Sequence, residues 1–178
     1  MPLVFVPTVP PAARSNQETG GPVPGPGTRS AGSILVVGSD YPTVRQVVLD
    51  TTDARGLAEF YRELLGYRYR PGDERPPAGE PDENGQDWLV LRDRDGAAAM
   101  AFQQVRELPR ATWPEGPHPQ QLHLDMTVPT PEVFEEQHQR VLDLGGEMIY
   151  DRSDDEEEPL RVYADLAGHP FCIFVSAG

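Results

Sequence analysis

Residues 119–146 read PQQLHLDMTVPTPEVFEEQHQRVLDLGG, and two periods meet inside that stretch. Over 121–128, Leu122, Leu124, Met126 and Val128 alternate with Gln121, His123, Asp125 and Thr127. A period of two marks a strand with one face in a core and the other toward water or a cavity. From Thr130 the period lengthens. Thr130 is a natural N-cap, Pro131 suits the first helical position, and Val133, Phe134, Val141 and Leu144 are candidates for the buried face of a helix ending at Gly145–Gly146. Beyond it, EMIY (147–150) reads as a short strand and DRSDDEEEP (151–159) as a loop. LRVYAD (160–165) and PFCIFVS (170–176) read as strands flanking LAGH.

The same order occurs earlier in the chain. VRQVVLDTT (44–52) is β-branched and apolar, as a strand should be. DARGLAEFYRELLG (53–66) is a helix with Asp53 as N-cap, Leu57, Phe60, Tyr61 and Leu64 at helical spacing, and Gly66 as the stop. YRYR is a short strand, 71–86 a long loop, and DWLVLRD and AAAMAFQQV are strands joined through RDG, a hairpin signal. One unit therefore occurs twice: strand, helix, three strands. Laid over each other, the copies place Gln46 on His123, Gly66 on Gly145, and DRDG (93–96) on DLAG (165–168). The expected fold is α+β, two βαβββ modules forming one domain around a cleft, with module one at 44–106, a connector at 107–119 and module two at 120–176.

Residues 1–43 differ in composition. PVPGPGTRSAGS is rich in Pro, Gly and Ser and cannot bury enough apolar surface to offset its ordering entropy, so a flexible tail is expected there, with SILVVGS (33–39) able to add an edge strand. The chain of 178 residues carries 29 Asp and Glu against 15 Lys and Arg, a formal net charge of -14. Such a surface repels phosphate backbones and anionic lipid, and no apolar run approaches the roughly 20 residues that span a bilayer; neither nucleic acid nor membrane is expected as a partner. The proline-broken start lacks the features of a secretory signal, and the single cysteine, Cys172, suits a reducing, cytoplasmic compartment.

The segments QVVLDTTDARGLAEFYRELLGY, WLVLRDRDGAAAMAFQQV, LHLDMTV and YADLAGHPFCIF together resemble the vicinal oxygen chelate superfamily. That superfamily includes glyoxalase I, the bleomycin-resistance proteins, the fosfomycin-resistance enzymes and the extradiol dioxygenases; the actinobacterial glyoxalase-like domains look most similar. The resemblance covers about 44–176. It implies metal ligands at one position on the first strand and one on the last strand of each module, usually His or Gln and then Glu. Carried over, those positions are Gln46 and His123, with Cys172 on the last strand of module two. In module one the same offset from the turn glycine gives Met100, and a one-residue slip gives Ala101. A thiol and a thioether thus stand where carboxylates are expected, and no cofactor is expected on that count. A divalent metal held by Gln46, His123 and Cys172, with Asp125 as a substitute carboxylate, is the alternative.

The site expectations follow from parity. His123 and Asp125 should face the cleft as the candidate acid–base pair, with Asp50 sharing that parity in module one. Gln46, His123, Trp88, Phe102, Gln104 and Phe174 are candidate ligand-binding residues, with Gln46, His123 and Asp125 as the polar orienting groups and Met100 as further apolar lining, and Trp113 of the connector can cover the mouth. Cys172, between Phe171 and Ile173, reads as a buried hydrophobe and not as a nucleophile. The expected function is small-molecule binding of the sequestering, resistance-protein kind. The alternative is a divergent lyase or isomerase using His123 with Asp125 or a partial metal site. Proteins of the superfamily often dimerise, so a homodimer is a further expectation, although both modules in one chain do not require a second copy to complete a cleft.

Overall fold

The computed structural model describes residues 42–176, so the expected tail and its edge strand lie almost wholly outside the described residues. Module one contains β1 (Val47–Thr51), α1 (Ala54–Leu65), β2 (Arg68–Tyr69), β3 (Trp88–Arg92) and β4 (Ala98–Gln104). Module two repeats it with β5 (Leu124–Val128), α2 (Pro131–Asp143), β6 (Glu147–Arg152), β7 (Leu160–Ala164) and β8 (Pro170–Val175). Each module is a four-stranded sheet, ordered β1-β4-β3-β2 and β5-β8-β7-β6. In each, the first and last strands are parallel neighbours and the remaining pairs are antiparallel. Among the described residues no helix is long and apolar enough to cross a membrane.

Local signals place the helices. The Asp53 carboxylate accepts from the Gly56 N–H at 2.9 Å, and α1 ends on Gly66 at φ 66°, a left-handed conformation that glycine adopts without a Cβ penalty. Thr130 caps α2 by accepting from the Val133 N–H at 3.3 Å. Helix α1 buries Leu57, Phe60, Tyr61 and Leu64 against Leu49, Leu89, Leu91, Met100 and Phe102 of the first sheet. Phe134, Val141, Phe171 and Ile173 of module two belong to the same core.

At the seam between modules, the rings of Phe60 and Tyr61 lie 6.1 and 6.3 Å from that of Phe171. Fully buried, each such ring contributes about 1.5–3 kcal/mol. The Tyr61 hydroxyl donates to the buried Asp165 carboxylate at 2.9 Å, which also accepts from the Ala167 and His169 N–H groups. Burial raises the Asp165 carboxyl above its ordinary range, and these donors act against that.

The long loop before β3 is pinned at a point the sequence does not announce. Arg55, buried on α1, makes a two-pronged contact with Asp82 at 2.7 and 2.9 Å and donates to the Asp73 carbonyl at 2.8 Å. Asp73 in turn accepts from the Val90 N–H of β3.

Two expectations about facing are corrected. Leu122, expected in the core, is 49% exposed, because β5 begins only at Leu124 and the alternation upstream belongs to an irregular segment. Met100, Phe102 and Gln104 were expected to line the cleft, but they face the helix. Trp88 pairs with Gln103 and Val90 with Ala101, whereas Phe102 pairs with Leu89 and is fully buried in the core. Gln104 caps α1 instead: its Oε1 accepts from the Ala54 N–H at 2.8 Å and its Nε2 donates to the Thr52 carbonyl. A bulge explains the slip. Leu91 pairs with Met100 but Arg92 with Ala98, leaving Ala99 as an extra residue. Every residue beyond it is one place further from the turn glycine than its counterpart in module two.

Candidate functional site

The second sheet's helix-free face holds three potential metal donors. Asp125 of β5 sits opposite Cys172 of β8 in the parallel register, and His123 immediately precedes the strand. His123 Nε2 lies 3.3 Å from Asp125 Oδ1, and the donor atoms of His123, Asp125 and Cys172 all lie within 4.8 Å of one another. The Gln120 amide lies 3.4 Å from His123 Nδ1. With that amide donating, the ring proton sits on Nε2, directed at Asp125. Burial, and then the charge and acceptor oxygens of Asp125, push the Cys172 thiol up to about 12. It is therefore protonated near neutral pH and is not a nucleophile.

Around Cys172 this face is apolar. Leu160, Val162 and Cys172 form a buried cluster joined by Trp113, Tyr150 and Phe174, with Trp113 edge-on to Tyr150 at 5.7 Å. The connector thus reaches over the second sheet through its tryptophan.

Over the helix-free face of the first sheet lies a cavity of about 490 Å³. Its floor is Val48 and Asp50 of β1, Trp88 of β3 and Gln103 of β4; the connector, through Leu108, His118 and Pro119, and the first residues of module two, 120–122, supply most of the rest of the lining. His169 closes one side, its Nε2 donating to the Asp50 carbonyl at 2.7 Å. The cavity takes none of its lining from Asp125, Cys172 or Phe174.

The structure brings His123, Asp125 and Cys172 together and places Phe174 on the same apolar face. Trp88 belongs to the cavity on the other sheet. Phe102 and Gln104 belong to neither. Gln46, just before β1, has a buried Oε1 without a hydrogen-bond partner among the described residues, and no hydrogen bond joins it to His123. Sequence reasoning missed Gln103, His118 and His169. The first was hidden by the bulge, and the histidines lie in segments without periodicity.

The donor set suits some metals and not others. Ala101 pairs with Val48 as Cys172 pairs with Asp125, so the last-strand position of module one carries no ligand. What remains is an imidazole, a carboxylate and a thiol, a set that fits a borderline ion such as zinc with three protein ligands. It does not fit a hard ion that requires several oxygen ligands. If the Gln120 amide turned over, its oxygen would hold the proton on Nδ1 and leave Nε2 free to ligate.

A duplicated βαβββ unit building two four-stranded sheets is the two-module architecture of the glyoxalase, bleomycin resistance and dioxygenase superfamily. Residues 46–174 match the family model of the glyoxalase-like domain, and the chain belongs to that family. Similar solved structures include a glyoxalase/dioxygenase from Nostoc punctiforme, at 19% identity and a TM-score of 0.54, covering 83% of this chain and 99% of that one. A possible glyoxalase from Bacillus cereus is similar at 15% identity and a TM-score of 0.51, covering 74% and 96%. So is a variant of the fosfomycin resistance protein FosX from Listeria monocytogenes, complexed with Mn(II) and a dihydroxypropylphosphonic acid, at 16% identity and a TM-score of 0.54, covering 76% and 93%. At these identities the likeness shows the fold. Among curated proteins none matches the sequence.

Proposed function

We propose that this glyoxalase-like chain is a small-molecule binding protein. The observation that supports the reading best is the cavity of about 490 Å³ on the first sheet, with an indole and a valine in its floor and a few polar groups around them. Apolar walls with sparse orienting groups are the usual composition of a ligand site, and this volume falls within the range for drug-sized molecules. The experiment is a ligand screen read through Trp88 fluorescence in a Trp113→Phe background. A Val48→Arg variant fills the cavity from a partly exposed strand position. Ligands that quench Trp88 should lose their effect in that variant while the fold persists; quenching that survives it would overturn the reading.

A second reading is favoured by a different observation, the convergence of His123, Asp125 and Cys172. In it the chain is a divergent metal-dependent enzyme. A bound divalent ion would supply Lewis-acid polarisation of a ligand oxygen. His123, just before β5, and Asp125 within it would hold the ion, and Cys172 would ligate as the thiolate, its proton released to solvent. Mn(II) in the FosX complex makes metal a fair question here, although the sulfur donor points to a softer ion. Cobalt(II) titration tests this reading. A thiolate-to-metal charge-transfer band in the wild type that disappears in Cys172→Ser and in His123→Ala supports it, and no band in the wild type removes it.

A further inference from the structure

The charge pattern of the first-sheet cavity narrows what it can hold; this rests on the binding reading above. Asp50 lines the cavity, and its carboxylate takes part in no ion pair with an arginine among the described residues. No arginine or lysine is found among the described residues lining the cavity. The remaining polar groups are amides and imidazoles. Trp88, two strands away in the order β1-β4-β3, contributes the indole to the same floor.

The placement of Asp50 is enforced by structure. It alternates with Leu49 and Thr51, both buried on the helix side, so its side chain must leave on the cavity side. Its own carbonyl is occupied by His169, which fixes the strand edge at that point. Asp50 itself is exposed to water, but a bound molecule that covered its carboxylate would have to replace that hydration, which a positive group does best. An indole face attracts cations through its quadrupole, most strongly when the pair is shielded from water. A neutral planar molecule would use the indole but leave the carboxylate unmatched, and an anion would be repelled.

We infer that the cavity selects planar organic cations, with the ring system against Trp88 and the positive charge toward Asp50. The chain's formal net charge of -14 would raise the local concentration of any cation, so the specific contribution must be separated from that general field. Asp50→Asn does so, because it removes one negative charge from many and only at this wall.

The test uses three probes of one shape: 10-methylacridinium, acridine at pH 8 where it is neutral, and acridine-9-carboxylate. Binding to the full chain is followed by calorimetry and by Trp88 fluorescence in the Trp113→Phe background. In wild type the methylacridinium should bind at least about tenfold more tightly than acridine, with the carboxylate weakest. In Asp50→Asn the gap between cation and neutral probe should shrink to about twofold, and in Trp88→Leu all three should weaken. Equal binding of the cation and neutral probes in wild type, or a preference that survives Asp50→Asn, overturns the cation selectivity and leaves the binding pocket standing. Binding of none of the three overturns both.

Discussion

Asp125 and Cys172 stand opposite each other across the parallel β5–β8 pair, and the carboxylate helps to keep the thiol protonated. Two parallel strands in this register put their side chains on one face, so a carboxylate on the first strand and a thiol on the last meet without help from any loop. The expected consequence is a thiol slow to react, although free thiols are otherwise among the most reactive side chains.

This slowness can be measured. With its thiol pushed up to about 12, first by burial and then by Asp125, Cys172 should alkylate at least about a hundredfold more slowly than a free cysteine at pH 8. Asp125→Asn removes the neighbouring charge and should raise the labelling rate severalfold. An unchanged rate would show that burial alone controls the thiol.

Neighbouring glutamines on β4 should behave in opposite ways. Gln104→Ala removes the acceptor for the Ala54 N–H at the start of α1 and should cost about 1 kcal/mol in urea unfolding, with ligand affinity intact. Gln103→Ala should leave stability within about 0.5 kcal/mol, as exposed positions usually do, while altering affinity for any ligand of the first-sheet cavity. The reverse result would mean that the strand is assigned to the wrong face.

Acid should loosen the loop before β3. The Arg55 hydrogen bond holds Asp82 below the ordinary carboxylate range, so this pair contributes stability above an unfolded value of about 4, and the contribution is lost as pH falls through the lower folded value. Asp82→Asn should therefore cost about 1–2 kcal/mol at pH 7, a partly exposed pair being discounted for solvent screening. The gap from wild type should narrow progressively below about pH 4. Chemical denaturation across pH 2–7 reads both numbers.

Removing one oxygen at the seam should be costly. Tyr61→Phe keeps the ring stacked against Phe102 but takes a donor from a buried carboxylate, for an expected loss of about 1–3 kcal/mol in denaturant unfolding. A loss below about 0.5 kcal/mol would show that the two backbone donors satisfy Asp165 by themselves.

The repeat was legible because its signals are local. Asp53 and Thr130 cap their helices, Gly66 and Gly145 take positive φ at the helix ends, and Leu57, Phe60, Tyr61 and Leu64 fall on one helical face. The candidate site was legible in module two, where a regular β8 carries Cys172 to its place beside Asp125. It was misread in module one, because one extra residue at Ala99 reverses every facing beyond it and no composition signal marks that bulge. Arg55 with Asp82 and Tyr61 with Asp165 are 27 and 104 residues apart, and only the folded chain shows that they meet.

The seam also bears on how this chain can be divided. A duplicated architecture invites the view that either half is a portable part, yet Phe60 and Tyr61 of the first half pack edge-on against Phe171 of the second. A protease nicking the connector at its exposed tip, around Glu115 and Gly116, should leave two fragments that co-elute and separate only under denaturant. Expressed singly, either fragment would present bare aromatic surface and aggregate. The repeat is one of architecture and not of autonomy: each half supplies part of the other's interior.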